Sequence, residues 1–144
     1  MALLIGIVLA LAVGAFAWGF GLDRDRAFYP TVMMVIAFLY VLFAATVDSP
    51  ALPVEAIIGV GFATLAAIGF KQSPWYVVVA LIGHGLFDRV HPHAIANGGV
   101  PVWWPDFCSA YDVTAGVWLG LQTYFAPSRA PVRRGREASG ETTS

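Results

Sequence analysis

Charge is what this sequence has least of. It holds eight basic and nine acidic residues among 144, or 12% of the chain, while 58% of its residues are hydrophobic. A soluble domain carries about 25% charged residues, so this composition excludes an ordinary soluble fold. The net charge of −1 also excludes the strongly basic surface on which nucleic-acid binding depends. A single cysteine, Cys108, rules out an intramolecular disulfide.

Long apolar runs make up most of the remaining sequence. A helix needs about 20 apolar residues to cross the roughly 30 Å hydrocarbon core of a bilayer. We therefore predict an all-α membrane protein with five transmembrane helices in a single domain, residues 1–126. Residues 127–144, rich in polar residues, glycine and proline, are predicted to form a disordered cytoplasmic tail. The five runs cover residues 2–22, 28–47, 52–70, 74–90 and 109–126.

The basic residues indicate an orientation for these five spans. Seven of the eight basic residues fall on one side of a five-span arrangement. The positive-inside rule makes that side cytoplasmic, which puts the N-terminus outside and the C-terminus in the cytoplasm. A short chain of this kind suits the inner (plasma) membrane of a bacterium. The seven residues are Arg24, Arg26, Lys71, Arg129, Arg133, Arg134 and Arg136.

Two prolines mark the predicted ends of the fourth helix. Ser73 followed by Pro74 is typical of an N-cap and the first helical residue. Pro92 disfavours the helical conformation for the residue before it. The fourth helix is therefore predicted to begin at Pro74 and to stop near residue 90 or 91.

All three histidines of the chain lie within ten residues, together with an aspartate. An ionisable side chain inside a membrane costs roughly 2.5 to 3.5 kcal/mol, so such residues mark a functional site with partners. His84 and Asp88 are spaced i, i+4 and share one face of a helix, with about 6 Å of axial rise between them. His91 lies on the same face nearly two turns from His84.

Further polar residues fall in the same outer half of the predicted membrane domain, and each of them has a structural alternative to a functional role. His91 and His93 also fit a solvated loop, and His84 fits a simple buried pair with Asp88. A carboxylate in the first turn of a helix interacts favourably with the helix dipole, and an acid at the third helical position can complete a capping box. The residues in question are Glu55 as a first-turn acid, Asp112 as the partner of a Ser109 cap, Asp106 as a turn or cap residue and Cys108 as a packed apolar group.

The order of these residues resembles a pattern found in small uncharacterised bacterial membrane proteins of four or five helices. The resemblance covers about 30 residues and implies that they act as one unit. A second similarity is to the ceramidase and adiponectin-receptor class of membrane hydrolases, which bind zinc through histidines and an aspartate at the membrane boundary. This chain departs from that class in having five predicted spans instead of seven and no His-x3-His pair. The positions that match the pattern of the small bacterial membrane proteins are His84, Asp88 and His91, then Gly99 or Gly98 with Pro101, then Cys108 and Asp112.

The leading functional hypothesis is a divalent-metal site, with zinc as the first metal to test. Three protein ligands and one open position are typical of catalytic zinc, which makes its bound water acidic enough to attack a substrate. The predicted reaction is hydrolysis of a lipid-soluble substrate, with Asp112 or Glu55 as general base. The predicted ligands are His84, Asp88 and His91, with Asp112 as a fourth ligand or a neighbouring group and His93 or Cys108 in reserve.

Two other classes of function stay open at this stage. A proton-coupled transporter or channel component would use His84, Asp88, Glu55 and Asp112 as a relay, because histidine titrates near physiological pH. An accessory subunit of a membrane complex would use the tryptophans at 103–104 as a contact surface. Membrane lipids are the expected surroundings in every case. Stripes of small residues predict close helix packing or a homo-oligomer, and they are Gly6, Ala10 and Gly14, and Gly116 with Gly120.

Overall fold

The computed structural model describes residues 1–125, and the predicted tail, 127–144, lies outside the described residues. Within the described residues the secondary structure is helical, which confirms the predicted all-α class. A short 3-10 helix, Leu22–Arg24, follows the first α-helix. The α-helices are α1 (Ala2–Phe20), α2 (Phe28–Ala37), α3 (Leu39–Thr46), α4 (Leu52–Lys71), α5 (Pro74–Ala94) and α6 (Trp104–Phe125).

Three helical units are long and apolar enough to cross a membrane. Two are α1 and α4, and the third is the 19-residue unit Phe28–Thr46 formed by α2 and α3 together. Phe38 separates α2 from α3, with φ −96° and ψ 0°. Helices α5 and α6 are as long, at 21 and 22 residues, but both carry ionisable side chains. The structure therefore places His84, Asp88 and Asp112 on two helices that have apolar helices as neighbours.

Helices α4, α5 and α6 pack side by side and form the centre of the bundle. Helix α6 lies between α1 and α5, and α5 also contacts α4 and α2. The α5–α6 contact is close because glycines line it: a Cβ on Gly85 would meet Val113 at 2.9 Å, and one on Gly116 would meet Ile82 at 2.7 Å. Small residues at such contacts let helix backbones approach each other.

The small-residue stripes predicted from the sequence face other helices of the same chain. Gly6 and Gly14 of α1 are buried and face α6 at Phe107 and Trp118 respectively. Gly116 faces Ile82 of α5. These stripes are thus used for packing within the chain, and association of two copies through them stays a prediction.

The start of α5 agrees with its sequence signals, but its end and the start of α6 do not. Ser73 caps α5 by accepting a hydrogen bond from the N–H of Trp75 at 3.4 Å. The predicted end near residue 90 or 91 is wrong, because α5 continues through Pro92 to Ala94. A proline in the last turn removes only one helical hydrogen bond, and the N–H of Ile95 bonds to the carbonyl of His91 beyond it.

Helix α6 begins at Trp104, five residues before the predicted start at 109. The physical reason lies in its first turn, where Pro105 and Asp106 suit an N-terminus: proline needs no N–H there, and a carboxylate faces the positive end of the helix dipole. Ser109 therefore lies inside the helix and is buried. It cannot act as the N-cap that the alternative interpretation of Asp112 requires.

We predict that Gly6→Ala destabilises the fold through the α1–α6 contact. The added Cβ would lie 2.4 Å from the backbone carbonyl oxygen of Phe107, which cannot move without moving α6. Overpacking of this kind costs about 1–3 kcal/mol. Thermal unfolding in detergent measures the effect, with Gly61→Ala as the control because nothing lies within 4 Å of a Cβ there. Equal stability of the two variants would contradict the packing described here.

Candidate functional site

A buried triad of one histidine and two aspartates lies where α5 meets α6. His84 and Asp88 are one turn apart on α5, and Asp112 faces them from α6. The side chains are 2%, 0% and 0% exposed respectively. His84 Nδ1 lies 2.8 Å from Asp112 Oδ2 and 3.6 Å from Asp88 Oδ2. One ligand atom from each residue lies within 4.8 Å of the others, so the triad could hold a metal ion.

The aspartates of the triad have fewer hydrogen-bond partners than buried carboxylates normally have. Both oxygens of Asp88, and Oδ1 of Asp112, are buried and have no partner among the described residues. A buried charge is costly unless it is paired and hydrogen-bonded. His84 Nδ1 lies within ion-pair distance of both aspartates. The triad therefore has carboxylate oxygens available for one more donor or cation.

Aromatic rings surround the triad and separate it from the outside of the bundle. The ring of Phe62, on α4, meets the His84 ring edge-on at a centroid distance of 4.9 Å. Phe87 lies further along α5, with its ring 6.3 Å from that of His84. Both phenylalanines are half-buried. Because apolar neighbours lower the local dielectric, they strengthen any electrostatic interaction inside the triad.

A second buried acid–histidine pair lies closer to the C-terminal end of α5. The imidazole of His91 bonds through Nε2 to Oε1 of Glu55, on α4, at 2.8 Å. The side-chain N–H groups of Asn97 donate to the same Glu55 oxygen at 2.8 Å and to the backbone carbonyl of Tyr40 at 3.1 Å. His91 follows His84 by seven residues, or about 10 Å along the helix. The His91–Glu55 pair is thus a separate cluster from the triad.

The structure groups the sequence-predicted residues differently from the predicted ligand set. Asp112 joins His84 and Asp88, whereas His91 bonds to Glu55. Helix α6 includes Cys108 and Asp112 as the i, i+4 pair expected from their spacing, and Cys108 is buried. Of the remaining predicted residues, His93 is exposed, and Asp106 is an exposed first-turn residue of α6 that forms an ion pair with Arg89.

Sequence reasoning missed two residues of these clusters, Asn97 and Tyr40. Asn97 begins an Asn-Gly-Gly segment, which indicates a turn, and its own side-chain oxygen does accept from the Gly99 N–H at 3.2 Å. Its second bond, to Glu55, depends on how the loop folds back on α4. Tyr40 is one of two tyrosines in the apolar run 28–47, and a buried tyrosine hydroxyl needs a partner. The requirement of this hydroxyl for a hydrogen-bond partner is the sequence signal that could have identified Tyr40.

Comparison with protein-family models, with curated proteins and with solved structures gave no match. The function must therefore be argued from the geometry of the triad and its surroundings.

We predict that His91→Ala destabilises the protein far more than His93→Ala does. Removing His91 leaves the buried Glu55 carboxylate with Asn97 as its remaining side-chain partner, and breaking a buried pair costs about 3–5 kcal/mol. His93 is exposed on the same helix, and surface substitutions cost at most about 0.5 kcal/mol. Unfolding of both variants in detergent checks the difference. A His91→Ala variant as stable as His93→Ala would mean that the pair contributes nothing to the fold.

Proposed function

We propose that this chain is a five-span protein of the plasma membrane, with its N-terminus outside and its C-terminus in the cytoplasm. The helix directions support this topology. Gly6 and Gly14 of α1 meet Phe107 and Trp118 of α6 in the same order, so α1 and α6 run parallel. The first and fifth spans of a five-span chain must do so. Large apolar side chains on the exposed sides of α1 suit contact with membrane lipids, and they include Leu4, Ile5, Val8, Phe16 and Phe20.

The triad of His84, Asp88 and Asp112 binds one divalent cation in this proposal. The observation that carries it is Asp88, which is fully buried next to a histidine and a second aspartate and whose carboxylate oxygens have no hydrogen-bond partner among residues 1–125. A structural ion pair would leave no such oxygens, since buried polar groups are nearly always hydrogen-bonded. Two carboxylates and a neutral imidazole carry a charge of −2, which a divalent cation neutralises.

Zinc is the first candidate among divalent cations. Zinc takes nitrogen and oxygen ligands, and its catalytic sites use three protein ligands with a fourth position left for water. The triad supplies three ligands of these types. Manganese and iron also accept carboxylate and imidazole, so direct metal analysis has to decide between them.

The proposed reaction is hydrolysis of a lipid-soluble substrate. A cation bound here would supply an acidified water and polarise the bond to be broken. Asp112 would hold the cation with one carboxylate oxygen and receive a proton on the other, because its Oδ1 has no partner among the described residues. Glu55, the other residue predicted as a base, is bonded to His91 and Asn97 in the outer cluster.

A substrate dissolved in the bilayer has a short route to the triad between α4 and α5. Phe62 covers His84 on this side and is half-buried. Packing beside it is loose, because a Cβ added to Gly83 would find only the Phe62 ring, at 3.8 Å. Phe62 therefore acts as the barrier between His84 and the lipid.

Metal content tests the proposal directly. We expect protein purified in detergent without a histidine tag to contain about one divalent metal ion per chain, and His84→Ala and Asp112→Asn to lose it, because each removes one of three ligands. His93→Ala is the control, since this histidine is exposed and belongs to the same helix. Elemental mass spectrometry gives the stoichiometry and the identity of the metal. Folded wild-type protein without metal would refute the proposed function.

Substitution of Phe62 tests the route from the bilayer. We expect Phe62→Ala to lose its metal several-fold faster than wild type to a chelator that dissolves in the detergent micelle, because the barrier over His84 is gone. Phe70→Ala is the control, as Phe70 is an exposed residue of the same helix. Loss of metal is followed at a temperature at which both variants remain folded. Equal rates in the two variants would exclude Phe62 as the barrier.

A further inference from the structure

Tyr40 stands between the two polar clusters. Its ring stacks on the His91 ring, with centroids 3.9 Å apart and planes at 24°, and its centroid lies 6.1 Å from that of His84. The side chain is 2% exposed. Stacking on His91 thus fixes the ring plane, and the direction of the hydroxyl follows from it.

Asp88 lies between His84 and His91 on the same face of α5, and the Tyr40 ring contacts both of these histidines, so the hydroxyl of Tyr40 and the carboxyl group of Asp88 are buried neighbours. Neither the hydroxyl nor either Asp88 oxygen has a hydrogen-bond partner at bonding distance among the described residues. A hydroxyl can donate one hydrogen bond, and an ionised carboxylate can only accept. The two groups are therefore chemically complementary, and each lacks what the other provides.

Packing alone does not explain a tyrosine at this position. A buried hydroxyl without a partner costs about 1–3 kcal/mol, whereas phenylalanine would keep the same ring contacts without that cost. The apolar part of Tyr40 is needed for the stack on His91. Its hydroxyl does not stabilise the fold unless Asp88 accepts a hydrogen bond from it.

We infer that Tyr40 is a positioning residue of the cation site, whose hydroxyl donates to the Asp88 oxygen that the cation does not bind. The inference rests on the proposed function, because it assigns Asp88 to a cation. Groups that hold a metal ligand in place typically contribute 10–100-fold to metal affinity. Tyr40 would in this way fix the orientation of the one ligand that has no other hydrogen bond.

Tyr40→Phe tests this inference, and Tyr29→Phe is its matched control. Tyr29 is also buried, and its hydroxyl has no partner among the described residues, but it lies eleven residues, or about 16 Å of helix, before Tyr40. We expect the affinity for Co²⁺ and Zn²⁺ to fall about 10–100-fold in Tyr40→Phe and to stay at the wild-type value in Tyr29→Phe. The visible spectrum of bound Co²⁺ should change in Tyr40→Phe alone. The stability of the metal-free protein should stay equal or rise in both variants, because each loses an unpartnered hydroxyl.

Three results would overturn the inference while leaving the cation site intact. The first is a metal affinity in Tyr40→Phe equal to that of wild type. The second is a loss of stability of metal-free Tyr40→Phe that accounts for its lower metal affinity. The third is a tyrosinate charge-transfer band when wild-type protein binds Fe³⁺. The last would make Tyr40 a direct ligand. Wild-type protein that binds neither Co²⁺ nor Zn²⁺ would instead refute the proposed function, and the role of Tyr40 with it.

Discussion

Neutralising buried charge is the constraint on which the rest of this structure depends. Three carboxylates, those of Glu55, Asp88 and Asp112, are buried together with only two histidines. Leaving a buried charge unpaired costs several kcal/mol, so the helices must bring acids and histidines together. His91 and Glu55 form one complete pair, with Asn97 as an added donor. His84 lies within ion-pair distance of two aspartates, and this imbalance is the physical basis for the proposed cation site.

Glycine makes the geometry of the triad possible. The 2.8 Å distance between His84 and Asp112 requires α5 and α6 to approach closely. Gly85 and Gly116 lie at that contact, where a Cβ on either would be within 3 Å of the other helix. The close packing of α5 against α6 therefore also determines the electrostatic interactions of the triad. A site carried on rigid helices holds its ligands more accurately than one carried on loops.

The sequence predicts the parts of this structure that depend on local spacing. The pairing of His84 with Asp88 follows from the helical period, and the start of α5 follows from Ser73 and Pro74. Membership of Asp112 in the triad could not be predicted in preference to His91, because it depends on the rotation of α6 about its own axis. That rotation is set by contacts more than twenty residues apart in the chain, such as Gly116 with Ile82. The partner of Glu55 could not be predicted from the sequence for the same reason.

Helix α1 makes its main helix contact with α6, at the opposite end of the described chain. Its Gly6 meets Phe107, so about 100 residues must be synthesised before this contact can form. The chain is synthesised from its N-terminus, and α1, which is long and apolar enough to cross a membrane, therefore has to persist without its partner. Its composition is suited to that interval, since it has the highest hydropathy of the three apolar spans. The same order makes docking of α1 a late step in assembly, because α6 is the last helix of the described chain to be synthesised.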